Sequence, residues 1–341
     1  MTMFDPDHGC FTEDDNHRII VDRLDQLLDE RESRAISEPR YIAGLKALAE
    51  QHPEYLDAHA HLGFALLDHG KTKAALDACE RGWAIAHALV PSEYGGLIKW
   101  GWHENRPFLR TVHATILALL ANKQRGRAIE LMERVLAWNP DDNQGIRFMI
   151  GSELMRDGKT ASARIWLERC ADEYPPYRYE LGLLHCREKQ FAEAATAFRR
   201  GFIENAYIAE VLTGTSNPLP IAIWHGSNLA EPDLAREYVN RYRALWDSTP
   251  AAVAFLRWLH IHPSMLRERA DAIELQQSLL WEDDYAARGK LLAHLTKISE
   301  SIDLTGSKAL VQPIAVLGKK TIYPWMAGEA RLLRAEKARG R

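Results

Sequence analysis

The chain is poor in cysteine. Four residues, Cys10, Cys79, Cys170 and Cys186, are scattered over 341 positions with no CxxC pair and no metal-ligand spacing around them. A disulfide scaffold and a zinc ribbon are excluded, and thiols this sparse suit a reducing compartment, so the expected location is cytoplasmic. No apolar run approaches the roughly 18 residues that mark a membrane-spanning helix. The first residues, Met1 to Arg18, are acidic and lack the apolar segment of a signal peptide, so no membrane partner is expected. Net charge is -4, which leaves the chain without an overall electrostatic footprint for nucleic acid. Glycine-rich phosphate loops and the GxSxG nucleophile turn are missing. His59 and His61, like His260 and His262, stand two apart, whereas a helical zinc site needs a spacing of four. No catalytic residue, cofactor or metal ion is therefore assigned. Strand patterning is scarce too. Its best instance, 309–316, is interrupted by Pro313.

What remains is an ordinary globular balance, 46% hydrophobic and 26% charged, with ten Trp as its one unusual count. Helical periodicity runs almost throughout. Within it a helix–turn–helix unit recurs. Ile150, Gly151 and Leu154 share one face, Gly158 breaks the helix, Ala163, Leu167 and Cys170 line the next, and Pro175 ends the unit. Leu62, Gly63, Leu66, Gly70, Ala75 and Cys79 give an upstream copy. Ile116, Leu119, Ala128, Met132, Val135 and Pro140 give another, and Leu181, Gly182, Ala194 and Phe198 a fourth. The alanines at 75, 128, 163 and 194 are spaced by 53, 35 and 31, so an insertion lies between the first two copies. A partial copy precedes them, with Leu45 and Leu48 on one helix and 19–32 as its partner. Small residues where two helices cross let their axes approach.

These copies resemble the tetratricopeptide repeat family. The resemblance covers about 38–206 and is carried by Leu62-Gly63…Ala75, Ile150-Gly151…Ala163…Pro175, Leu181-Gly182…Ala194…Phe198 and the ending Val135 to Pro140. It departs from the family in lacking an opening Trp in the first helices and in carrying His185 where an aromatic is usual. Gly101 to Arg110, with Asn139 to Arg147, is similar to a subgroup of such proteins that has no assigned activity. The resemblance implies an all-α, right-handed helical-repeat solenoid with a helical C-terminal cap. The organisation expected is an acidic segment and first helix over 1–37, a repeat array over 38–212 with an insertion at about 88–108, a cap over 213–305 and a basic tail over 306–341. The cap reads as three or four helices, one opened by Thr249-Pro250 with Thr249 as N-cap; it holds Trp224, Trp246, Trp258 and Trp281 in its core or, as the alternative, forms a second ligand-binding module.

The densest cluster of functional side chains is 99–110, with two Trp, His103, Glu104, Arg106 and Arg110 in twelve residues. Such a loop can stack on a ligand and pair with a carboxylate, or it can plug the gap the insertion opens. Asp141 to Arg147 reads first as turn and cap chemistry, and second as a place where Asn143 and Arg147 face a groove together. The family's geometry puts first-helix positions on the concave surface. Here these are Asp57, Ala60, Phe64 and Asp68; Arg110, His113 and Leu117; Phe148, Ser152, Met155 and Arg156; and Tyr179, Leu183, Cys186 and Arg187. The Lys and Asn set of the family's carboxylate clamp is missing.

The expected partner-binding set is therefore Trp102, His103, Asn105, Arg106, Arg110, His113, Asn143, Arg147, Phe148, Arg156, Tyr179 and Arg187. The expected function is that of a non-enzymatic scaffold or adaptor that holds a partner peptide or helix in the concave groove. Self-association through terminal faces, giving a homo-oligomer, is a further expectation. A regulator that senses a ligand or nucleic acid through the basic tail is the alternative. An enzyme using His103, Glu104 and Arg106 stands third.

Overall fold

A computed structural model describes residues 2–5, 7–12, 17–317 and 319–339. The acidic run at 13–16 and the last two tail residues lie outside the described residues. The chain divides into two compact units, 1–158 and 159–341. Among the described residues both are helical apart from a short antiparallel hairpin in each.

The first unit opens with β1 (Thr2–Asp5) and β2 (His8–Cys10). Seven helices follow: α1 (His17–Glu32), α2 (Glu38–Gln51), α3 (Leu56–Asp68), α4 (Thr72–Ala88), α5 (Arg106–Ala121), α6 (Arg125–Trp138) and α7 (Arg147–Arg156). Each packs on its neighbour in the chain, and α3 also packs on α5. The second unit holds α8 (Thr160–Cys170), α9 (Pro175–Arg187), α10 (Phe191–Glu204), α11 (Ala206–Thr213), α12 (Pro232–Asp247) and α13 (Pro250–His260). It continues with α14 (Pro263–Trp281), α15 (Tyr285–Ser301), α16 (Leu304–Leu310), the hairpin β3 (Ala315–Leu317) and β4 (Lys320–Ile322), and α17 (Ala327–Arg339).

The repeat read from the sequence has a structural counterpart in the turns. Gly70, Lys123, Gly158 and Lys189 all have positive φ, between 60° and 76°. Each stands five residues before one of the four alanines, and all four alanines are fully buried. In three of these turns the amide just after the left-handed residue, three positions past the end of the helix, bonds five residues back: Lys71 to Leu66, Gln124 to Leu119 and Gln190 to His185. That left-handed stop satisfies the orphan carbonyls of the first helix and reverses the chain. The crossings are tight. A Cβ on Gly63 would lie 2.3 Å from Cys79 Sγ, and one on Gly182 would lie 2.3 Å from the Phe198 ring.

Several details differ from expectation. The expected boundary between cap and tail, near 305, falls inside α16, which starts at Leu304 because the Asp303 carboxylate accepts the Gly306 amide and caps it. Extended structure begins only at Ala315. Thr249 makes no side-chain cap on α13; its hydroxyl accepts from Arg187 instead. Trp246 is buried as expected, but Trp281 is 78% exposed, at the point where α14 ends. The tail contributes a core residue of its own. Trp325 packs against Phe191, Phe255, Trp258 and Tyr323, with ring centroids 4.5 to 5.0 Å away.

Candidate functional site

In the first unit, α5 is the organising element. Phe108, Leu109, Val112, Ile116 and Leu119 are buried. Arg106, Arg110, His113, Leu117 and Leu120 are only half-buried. The steps of four, three, four and three residues put them on a single face of the helix. Beside it, α3 offers His61, Phe64 and Leu67, also half-buried. The Phe64 ring meets His113 edge-on at 5.8 Å and His61 at 6.5 Å, so an apolar, aromatic strip joins the two helices.

The charges on this face are largely committed within the chain. Arg110 Nε and Nη2 donate to both oxygens of Asp57, at 2.7 and 2.5 Å, and Asp57 is buried. Burial pulls the Arg110 guanidinium down, but the Asp57 bonds outweigh it and its pKa is raised overall. Arg106 Nε donates to the Trp100 carbonyl, and the Arg106 and Arg110 guanidinium carbons lie 5.5 and 5.9 Å from the Trp100 ring. Burial lowers the pKa of His61, and nearby Arg110 and Arg31 add to this against Asp57, so the ring is neutral at neutral pH.

The segment 139–147 is a staple. Asn139 Oδ1 accepts the Trp100 amide, and Gln144 Nε2 donates to the Leu109 carbonyl. Asp142 has a φ of 44°, and its carboxylate accepts the amides of Ile146 and Arg147 at the start of α7. Burial raises its pKa against these bonds. Arg147 folds back over Phe148, 4.3 Å from the ring, and donates to the Asp142 carbonyl. Asn143 is exposed. Arg156 donates to the fully buried Glu153, which Arg125 also holds.

Two members of the expected set are buried and bonded inside the fold. Asn105 is fully buried: its Oδ1 accepts the Phe11 amide, and its Nδ2 donates to the carbonyls of Gly9 and Lys99. Tyr179, in the second unit, is also fully buried and donates to the Asn205 carbonyl at 2.7 Å. Burial raises its pKa. Neither is open to a partner, because each side chain is buried and its hydrogen bonds are made inside the fold. Arg187 is exposed, yet its guanidinium is held at the end of α12, donating to the Leu245 carbonyl and the hydroxyls of Ser248 and Thr249. Of the remaining expected residues, His103 is exposed, while Trp102, His113 and Phe148 are half-buried.

Sequence reasoning missed Asp57 as the partner for Arg110 and Leu120 as part of this face, while Trp100 and Gln144 lay within the stretches 99–110 and 141–147 without being singled out. Nothing local signals the first: the pair is separated by 53 residues. Leu120 was legible, since it continues the same helical stripe. Among the described residues, no group of three or more His, Cys, Asp or Glu is placed to hold a metal ion, and no helix is long and apolar enough to cross a membrane. No protein-family model matches the chain, and no curated protein matches it.

Proposed function

We propose that the chain is a protein-interaction module whose helix pairs form a tetratricopeptide-like right-handed array, and that it binds a peptide or helix of a partner on the face of α3 and α5. The recurring left-handed turns and buried alanines support the array. One observation carries the binding face: on α5 the stripe Arg106, Arg110, His113, Leu117 and Leu120 is left half-covered while the other faces of the helix are buried. A partly apolar helical stripe flanked by an aromatic pair suits the apolar anchors of an amphipathic segment, with anchors at helical spacing. The arginines act mainly by fixing the shape of this face, because Arg110 is paired with Asp57 and Arg106 is bonded to the Trp100 carbonyl. In this reading the protein is an adaptor, expected in the cytoplasm.

A photo-reactive residue at 117 tests this. It is expected to form a discrete adduct with one partner in cells, which Phe64→Ala weakens and a photo-reactive residue at the exposed position 73 of α4 does not form. An identical adduct pattern at 117 and 73 would refute the reading.

A further inference from the structure

A second concave feature lies on another face of the first unit, formed by α2, α3 and α4. It is a groove of about 550 Å³, within the roughly 300–1,000 Å³ range of small-molecule sites. Its floor is aliphatic, with Ala49, Leu62, Leu66 and Ala78 all buried. His59 also lines the floor. Its Nε2 lies 2.9 Å from the Pro53 carbonyl, and burial lowers its pKa, so the ring is neutral at neutral pH. No Phe, Tyr or Trp lines the groove. Aromatic anchor pockets are what a peptide's hot spots seek. An unbranched aliphatic chain needs only the apolar part of such a floor.

The rim carries Lys46, Lys71 and Arg81 against Glu50 and Asp77. Lys46 sits 3.7 Å from Glu50. Asp77 and Arg81 stand four apart on α4, where their charges compensate along the helix. Lys71 is left over. It is exposed, has no ion-pair partner among the described residues, and precedes the first turn of α4, where the helix dipole adds positive potential. From Lys71 to Arg81 the groove runs about 15 Å along α4 at 1.5 Å per residue. One end thus carries a surplus positive charge, while along the rest the rim charges offset one another above the aliphatic floor.

We propose that this groove binds a free aliphatic carboxylate, with its chain along the α3 floor and its head group at Lys71. This goes beyond the partner-binding reading and uses a different face, so each can fail without the other.

The test is calorimetric titration of the intact chain with decanoate below its micelle concentration, and with the neutral decanamide. Decanoate is expected to bind once per chain. Lys71→Glu is expected to weaken decanoate at least tenfold and leave decanamide unchanged. Ala74→Trp fills the groove from an exposed position and is expected to abolish binding of both, with far-UV circular dichroism confirming that the helices persist. If Ala74→Trp does not fold, Lys71→Glu alone decides. Absence of decanoate binding, or decanoate affinity that neither variant changes, would overturn the proposal. So would an acidic helical peptide that occupies the groove of a chain indifferent to decanoate.

Discussion

Arg110 on α5 grips Asp57 on α3 through both carboxylate oxygens, at 2.7 and 2.5 Å, and the two partners are unequally covered. The Arg110 side chain is 31% exposed and that of Asp57 8%. Removing the arginine strands a buried carboxylate, while removing the carboxylate leaves a guanidinium that still reaches water. Arg110→Ala is expected to cost about 3 kcal/mol or more and Asp57→Ala about 1–2 kcal/mol. Urea unfolding of the two variants checks the order. Arg110→Glu would set two carboxylates together, so it is a poor probe of partner binding; Leu117→Glu is a cleaner one.

The α3–α4 crossing admits no side chain at Gly63. Gly63→Ala is expected to destabilise the first unit by about 1–3 kcal/mol, as overpacked cores do. Because the clash is with Cys79 Sγ alone at that distance, Cys79→Ala should relieve it. The double variant is then more stable than the sum of the singles predicts, which a double-mutant cycle in urea measures.

Two groups in the second unit oppose each other in pH. Burial raises Glu204 from 4.5 to about 7, against Arg178. Its folded pKa lies above its unfolded one, so its contribution is intact below pH 4.5 and is lost as pH rises through 7. Burial, aided by Arg269, lowers His260 from 6.5 to about 4. Its contribution is intact above pH 6.5 and is lost as pH falls through 4. Each is on the order of 3 kcal/mol, so the wild-type stability is nearly flat where the windows overlap. Glu204→Gln is expected to leave stability rising from pH 4 to 6.5, and His260→Gln to leave it falling from pH 4.5 to 7. Urea midpoints across that range decide; matching slopes in both variants would contradict the assignment.

Trp325 belongs to the core of the second unit. Trp325→Ala is expected to cost about 3–5 kcal/mol and to uncover Trp258 and Phe255, which a red shift of tryptophan emission reports. Truncation after 316 would do the same. A loss of binding in such a truncation would therefore not isolate the basic residues, of which Lys320 is already paired with Glu329 at 2.7 Å.

Much of the helical layout was legible. The four alanines and the glycines at 63 and 182 declare themselves because close crossings tolerate only small residues, and α12 to α14 are announced by prolines at their first turns. What escaped was whatever depends on a distant partner. Arg110, Asn105 and Tyr179 look like binding residues in isolation; each is answered by Asp57, Gly9 and Asn205, far away or across a turn. The N-terminal hairpin was missed for the same reason. Its ladder partner is Leu97, whose amide donates to Asp7 and whose carbonyl accepts from Gly9. The α11 helix was hidden because its cap, Asn205, follows directly on α10, accepting the amides of Tyr207 and Ile208. Nor did the sequence hint that Lys123 and Lys189 hold left-handed turns, since the equivalent turns of the other two copies are marked by Gly70 and Gly158.

The Asn105 amide has a kinetic meaning as well. Neighbouring helix pairs close over a few residues, but the bonds from Asn105 to Phe11 and Gly9 span 94 and 96 residues. Contacts of such long range are entropically slow to close. The opening hairpin should dock after the helices beneath it have formed, and its amides should exchange with solvent through a separate, earlier-opening step. The Asn105 carboxamide, together with the Leu97 bonds to Asp7 and Gly9, thereby separates the docking of the hairpin from the local closure of the helix pairs.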